Sequence, residues 1–319
     1  MKVLVVVLNY RTPKLVVQCL ESLDRELAEI ESIHVVVTDN ASGDDSIALI
    51  RSTIDAHRWS WCTFMPLPRN GGYSYGNNAG VQAFLSRDDA PEYVLLLNPD
   101  AYVLPGAVRT LVEFMDANPE VGVAGARVED ESGEQAHSAF RFPSVTSEML
   151  HGFKLGLLTR VLDNHQTFYE LDGEPKQVDW VTGAAMMIRK RVFDEVGLLD
   201  EGYFLYFDEV DFCWRASQAG WAIYHVPAST VVHLQAQSTQ ITDLRKQQPR
   251  YPAYWFDSRR RFFVKNRGKL RAVLADLAFL TGYSTFRIRS VIQRKPNREP
   301  PHVWWDFVRN STLVRGFEI

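Results

Sequence analysis

The run KVLVVVL, Lys2–Leu8, sets six apolar residues in succession with no polar alternation. A strand with one face in water alternates polar and apolar residues, whereas a strand buried on both faces reads as a continuous apolar run. Such a strand needs cover on both sides. The same kind of run returns at IHVVVT (Ile33–Thr38), WCTFMPL (Trp61–Leu67), YVLLL (Tyr93–Leu97) and VGVAGARV (Val121–Val128). Helical signals lie between them. Thr12-Pro13 reads as an N-cap followed by Pro at the first helical position, and an amphipathic stretch runs on to about Leu23. Ile47, Ile50 and Ile54 mark a second helix, Gly76 to Ser86 a third, and Leu111, Phe114 and Met115 a fourth. This alternation predicts an α/β fold: a Rossmann-like, mostly parallel central sheet with helices on both faces.

The second half is less regular. VDWVTGAAMMIRK (Val178–Lys190) reads as one strand with small residues at its middle, DEVDFCWRASQAGW as a short helix closed by Gly220, and AIYHVPASTVVH as further strand. After Gln235 the chain turns basic and aromatic. Residues 259–298 hold twelve Lys and Arg against one acid, Asp276, a net +11, whereas the whole chain carries −4, so the remainder carries −15. One end of the protein therefore favours an anionic partner. No recognised nucleic-acid motif accompanies that charge.

A chain of 319 residues, 46% of them apolar, has room for one large domain or one and a half. The cysteines (Cys19, Cys62 and Cys213) are widely spaced, which speaks against a disulfide framework or structural zinc and for a reducing, cytoplasmic setting. MKVLVVVLNY reads as a first strand rather than a signal peptide. No apolar stretch reaches the roughly 20 residues of a membrane-spanning helix.

Four polar clusters fall where strands end: Asn9-Tyr10, Asp39-Asn40, Asn70-Gly71-Gly72 and Asn98-Pro99-Asp100. Each alone reads as turn chemistry. Together they belong on the carboxyl edge of one sheet, where open α/β sheets bind ligands. Asp39 is suited to accept from a base N–H or a ribose hydroxyl, and the glycines at 71, 72, 76 and 80 to bring backbone close to a phosphate or sugar. GxGxxG is absent after the first strand, which counts against a nicotinamide dehydrogenase. In YFLYFDEVDFCWR, Asp208 and Asp211 have the spacing of an N-cap and its N3 partner, and Asp211 and Arg215 that of a helical ion pair. Glu209 has neither occupation, and it is the expected general base. His233 is either a hydrogen-bonded strand-end residue or, with Asp100, part of a Mg²⁺ or Mn²⁺ site.

VVVLNY, VVVTDNASGD, NGGYSYGNNAG, LLLNPDA, VTGAAMMIRKRVFDEVGLLDEGYFLYFDEVDFCWRASQAGW and VVH occur here in the order seen in family 2 glycosyltransferases. Over roughly residues 1–240 the chain resembles their rhamnosyltransferase branch. The resemblance implies a GT-A catalytic domain over 1–240, with a nucleotide-sugar-binding half at 1–125 and an acceptor-binding half at 126–240, followed by a helical region at 241–319. It implies inverting transfer of a sugar, L-rhamnose from dTDP-rhamnose, to a hydroxyl of a saccharide or lipid-linked saccharide in cell-surface polysaccharide synthesis. It maps the metal-binding acid onto Asp100, the base-contacting acid onto Asp39 and the catalytic-base motif onto Asp208-Glu209. Asn9, Tyr10, Asn70, Gly71, Gly72, Asn78 and Asn98 join the donor site. Trp180, Gly183 and Asp211 fall to the acceptor, although a buried Trp and a bend glycine account for the first two as well. Two departures stand out: Asn98-Pro99-Asp100 replaces Asp-x-Asp, and the usual Glu-Asp pair is reversed, so either carboxylate is open as the base.

Leu270, Val273, Leu274, Leu277 and Leu280 repeat at helical spacing between basic flanks. They either pack on the catalytic domain or a second subunit, which leaves a homodimer open, or meet an anionic membrane surface. Two rival functions share the α/β pattern. A sugar nucleotidyltransferase would open with a Gly-rich basic loop where this chain has LNYRTPK. A non-catalytic nucleotide-binding protein would leave Glu209 as surface charge.

Overall fold

The computed structural model describes residues 1–27, 32–155, 167–234, 250–294 and 299–319. They pack as two compact units, Met1–Phe140 with Glu170–Glu201 and Asp208–Gln240, and Arg141–Tyr169 with Gly202–Phe207 and Ile241–Ile319. Segments 141–169 and 202–207 thus pack with the C-terminal helices although they precede residue 240. The boundary expected at 240 lies outside the described residues.

The first unit is built on one large sheet. Strands β1 (Val3–Asn9), β2 (Ile33–Asp39), β3 (Cys62–Pro66) and β4 (Tyr93–Leu97) run parallel in the spatial order β3-β2-β1-β4. Beyond β4 come β10 (Ala185–Arg189), antiparallel to both neighbours, then β6 (Val121–Glu129), β11 (Ala222–His233) and β5 (Ala101–Val103). Every residue of β1 is buried, as its unbroken apolar run requires. Val3, Val5 and Val7 face the layer that holds Val16, Leu20 and Leu23 of α1 (Pro13–Glu26), which is the amphipathic stretch read from Thr12-Pro13.

The opposite face of β1 carries α3 (Gly72–Leu85), and two glycines decide how closely it lies. A Cβ at Gly76 would come within 2.3 Å of a Leu8 methyl, and one at Gly80 within 2.8 Å of a Val6 methyl. These glycines therefore serve contact between helix and sheet, not approach to a phosphate. The helix also starts four residues before the expected Gly76. Its first turn is NGGYSY, entered through Gly72 at φ +88°, so the polar cluster at 70–72 sits at its beginning.

The segment Val178–Lys190 is not one strand. β9 (Trp180–Val181) pairs with β7 (Ala139–Phe140) in a separate ribbon, and β10 joins the main sheet. The chain bends between them because its backbone groups are claimed by different neighbours. Thr182 N donates to Ser138 O, Tyr73 Oη donates to Gly183 O, and Ala184 O accepts from Asn98 N. Conversely, AIYHVPASTVVH is a single strand, with a register shift between Val226 and Thr230 that accommodates Pro227.

The second unit is helical, as expected of the C-terminal region. Helix α5 (Val145–Phe153) packs with the long helix Lys269–Ile292, and Gly152 and Gly282 let the two backbones touch. Around them lie helices Ala253–Phe262, Val303–Asn310 and Thr312–Arg315. Their aromatic core joins Phe256, Tyr283 and Phe307, with Phe279 stacked on Phe307 at 3.7 Å. Buried Arg259 bridges Glu148 at 2.9 Å and Asp276 at 2.6 Å. Among the described residues, no helix is long and apolar enough to cross a membrane.

Candidate active site

The carboxyl ends of β1 and β2 are locked together by polar side chains. Asn9 and Asp39 are register partners in the parallel ladder, and both are fully buried. Asn9 Nδ2 donates to Asp39 Oδ1 at 2.6 Å and to Ser42 Oγ at 3.1 Å, while its Oδ1 accepts from Thr12 N and Oγ1. That leaves Asn9 as a brace between strand and helix, and the donor contact expected of it has no free group to use. Asp39 Oδ1 also accepts from Ser42 Oγ, and Oδ2 accepts from Ser42 N. Tyr10 is exposed beside them, under the Arg11 guanidinium at 5.2 Å.

Asn70 Oδ1 accepts from Asn40 Nδ2 and from Gly72 N, both at 3.0 Å, which ties the end of β2 to the start of α3. At Gly71 the missing Cβ makes room for the Tyr75 ring. Asn78 proves structural. Its Nδ2 donates to Leu199 O and Glu201 Oε1, its Oδ1 accepts from Leu199 N, and it is buried. One turn into the helix, it clamps a neighbouring loop instead of reaching a donor.

The third cluster answers why the buried strand β4 stops at a proline and an acid. Past Leu97 the chain crosses from β4 to the short β5, and β5 pairs with the end of β11 so that His233 stands opposite Ala101. His233 Nε2 thereby lies 3.0 Å from Asp100 Oδ1 and 3.4 Å from Asn98 Nδ2. All three side chains are half-buried or buried. This is the distance of a hydrogen bond or ion pair between the two side chains, and imidazole and carboxylate are both donors that suit a divalent ion. The donor set fits Mg²⁺ or Mn²⁺ whose remaining positions are filled by phosphate oxygens and water. Among the described residues, no group of three or more His, Cys, Asp and Glu is placed to hold a metal ion.

The carboxylate pair begins the helix Asp208–Gln218. Asp208 is its first helical residue, not a cap before it, and one of its carboxylate oxygens is buried with no partner. Burial first, then the charge of Glu209 and a hydrogen bond to it, hold the Asp208 carboxyl well above the usual carboxylate range. The Asp208 carboxyl therefore holds its proton more tightly than an ordinary carboxyl, with Glu209 as its hydrogen-bond partner. Glu209 is half-buried, so it is the more accessible of the two carboxylates. Asp211 is wholly buried and paired with Arg215 at 2.9 Å, the helical ion pair that its spacing predicts. It offers no surface to an acceptor. Trp180 is half-buried and stacked on Phe140 at 4.2 Å, and Gly183 is buried beneath the Tyr73 hydroxyl.

Tyr73 is the residue that sequence reasoning missed. Its hydroxyl is pushed well above its ordinary pKa by burial and then by the charges of Asp208 and Glu209, with a contribution from Asp100. The hydroxyl donates to Gly183 O, in the bend between β9 and β10. The available signal was an aromatic side chain in the first turn of a helix that follows a strand-end polar cluster.

The family model described as glycosyl transferase family 2 matches residues 3–197. The chain belongs to that family. Among curated proteins, this family 2 member is similar to the N-acetylglucosaminyl-diphospho-decaprenol L-rhamnosyltransferase of Mycobacterium tuberculosis, at 28% identity over 67% of this chain and 70% of that protein. It is also 28% identical to rhamnosyltransferase WbbL of Escherichia coli, over 51% of this chain and 60% of WbbL. Among solved structures, the mannosyltransferase PcManGT from Pyrobaculum calidifontis, in complex with GDP-Man and Mn²⁺, superposes with a TM-score of 0.59 at 15% identity, covering 92% of this chain and 75% of that one. The likeness places the family 2 chain in the GT-A fold.

Proposed function

We propose that the enzyme transfers L-rhamnose from dTDP-rhamnose to a hydroxyl of a lipid-linked saccharide, with inversion at the anomeric carbon. The observation that carries this reading is the 3.0 Å contact of His233 with Asp100 at the end of a buried strand in a family 2 chain, where a cation bound to a diphosphate would be held. The choice of rhamnose and of a lipid-linked acceptor is supported by the two rhamnosyltransferases at 28% identity.

In this scheme Asp39, its carboxylate held by Asn9 and Ser42, marks the nucleobase end of the site. Asp100 and His233, with Asn98 beside them, hold the divalent ion, which when bound neutralises charge on the departing diphosphate. The acceptor hydroxyl attacks the anomeric carbon from the face opposite the nucleotide. Its oxygen forms the new glycosidic bond, its proton passes to Glu209, and the bond from the anomeric carbon to the phosphate oxygen breaks. The transition state has the oxocarbenium character of glycoside hydrolysis, with a sugar hydroxyl in place of water. Asp208, buried beside Glu209 and hydrogen-bonded to it, orients that base. Trp180 and Gly183 border the acceptor side.

The test offers purified enzyme a panel of nucleotide sugars, with and without Mn²⁺ or Mg²⁺, together with a short-chain lipid-diphosphate saccharide. The expected product is the acceptor heavier by one deoxyhexose, formed with dTDP-rhamnose and lost in chelator. Turnover confined to another nucleotide sugar would overturn the donor assignment, and release of pyrophosphate from a nucleoside triphosphate would replace glycosyl transfer with nucleotidyl transfer.

A further inference from the structure

Among the described residues, one face of the helix Lys269–Ile292 carries exposed apolar side chains. Leu270, Ile288 and Ile292 are 73%, 64% and 76% exposed, and Leu274 and Leu277 are each more than 40% exposed. At 100° per residue these five fall on one stripe about 33 Å long. Thr285 interrupts it, but its hydroxyl is satisfied by Thr281 O. On the opposite side Ala272, Ala275 and Tyr283 are buried against the neighbouring helices. The leucine repeat read from the sequence therefore divides, with Leu270, Leu274 and Leu277 turned outward. The exposed apolar residues thus form two patches on one side of the helix, Leu270 to Leu277 and Ile288 to Ile292, with Thr281, Ser284 and Thr285 between them, and exposed apolar patches mark interaction surfaces.

Charge decides what meets it. Lys269 and Arg271 are exposed at one end of the stripe and Arg294 just past the other. The only acid in the helix, Asp276, is buried on the far side, where it binds Arg259 and the Thr312 N–H and hydroxyl. If a second copy packed along this stripe, bases would meet bases whether the helices ran parallel or antiparallel, with no acid on the helix to offset them. A bilayer with anionic headgroups supplies both an apolar layer for the leucines and negative charge for the bases.

We propose that this face of the Lys269–Ile292 helix docks the enzyme flat on an anionic membrane surface, which is where a lipid-linked acceptor would be met. The link to the acceptor rests on the functional reading above; the docking itself does not. The helix lies along the surface because its other face is already packed in protein.

The test is co-sedimentation of the purified full chain with phosphatidylcholine vesicles, with and without phosphatidylglycerol, at low and moderate salt. Binding is expected only with the anionic lipid and is expected to weaken as salt rises. Leu270→Glu with Leu274→Glu changes two exposed positions, so the variant should keep its circular dichroism spectrum and its transfer to a detergent-dispersed acceptor. It should lose vesicle affinity by about tenfold or more per leucine. Arg271→Glu should lower affinity at least about fivefold. Binding that ignores headgroup charge, or survives the leucine changes, overturns the proposal. So does a wild-type dimer that the leucine changes dissociate in the absence of any vesicle binding, which would give the stripe to a second copy. Failure of docking with transfer intact leaves the functional reading standing, and the reverse result separates the two equally.

Discussion

His233 Nε2 lies 3.0 Å from Asp100 Oδ1, although 132 residues separate the two in the chain. The contact exists because β5, immediately after Asp100, pairs antiparallel with the last turnless stretch of β11. It gives the lone acid of Asn98-Pro99-Asp100 an imidazole partner, and the two together are the proposed metal ligands. Asp100→Ala should fold, since the residue sits at a strand end, and should lose most transfer activity. His233→Ala should weaken the metal requirement's affinity by about 10- to 100-fold. A Mn²⁺-dependent thermal shift in the presence of nucleotide diphosphate reads this independently of turnover. An unchanged shift in Asp100→Ala would remove the acid from the metal site.

Glu209→Gln keeps size and hydrogen bonding but cannot take a proton. Turnover should fall by about 10²- to 10⁴-fold with donor affinity retained. Asp208→Asn can still donate to Glu209 and should cost much less. The opposite ranking in single-turnover rates would move the base one residue earlier.

The raised pKa of Asp208 also predicts a pH dependence of stability. An acid whose folded-state pKa lies above its unfolded value contributes fully below the unfolded value, about 4, and loses that contribution as pH rises towards the folded value. Asp208→Asn should therefore gain Tm over the wild type at neutral and alkaline pH, and the two curves should converge below about pH 4. A difference in Tm that stays constant across that range would contradict a buried, proton-holding carboxyl.

Gly76→Ala forces a methyl to within 2.3 Å of Leu8, inside a packed layer. Overpacking of this kind costs about 1–3 kcal/mol. Denaturant unfolding should show that loss, whereas Gly133→Ala, in open space on a surface turn with φ +81°, should show only a backbone penalty of about 1 kcal/mol. Equal losses at the two sites would mean that α3 moves away from the sheet freely.

Arg259 is buried between Glu148 and Asp276. Arg259→Ala leaves two buried carboxylates without their cation, which should cost about 3–5 kcal/mol in the helical unit. Arg259→Lys should recover only part of that, because one ammonium cannot reproduce a guanidinium that binds both acids. Calorimetry of both variants checks the ranking.

The strands and their ends were legible in the sequence because they depend on local period and on turn residues. The unbroken run Val3–Leu8 read as a strand buried on both faces, and strand–helix alternation read as a parallel sheet with Asn9, Asp39, Asn70 and Asn98 at one edge, whereas the order β3-β2-β1-β4 is set only by tertiary pairing. The Asp211–Arg215 ion pair was equally local, at one helical turn. What each polar side chain does with its hydrogen bonds was not legible, because its partners lie far away in the chain. Asn78 looked like a donor ligand until Leu199 and Glu201 were found to occupy its amide, and Asn9 until Asp39, Ser42 and Thr12 did the same. Gly76 and Gly80 read as permissive backbone, but only the sheet beneath them shows that it is the missing side chain, not the freedom in φ, that the fold requires. Which of Asp208 and Glu209 holds a proton depends on burial, a quantity that neither residue possesses until the chain has folded around it.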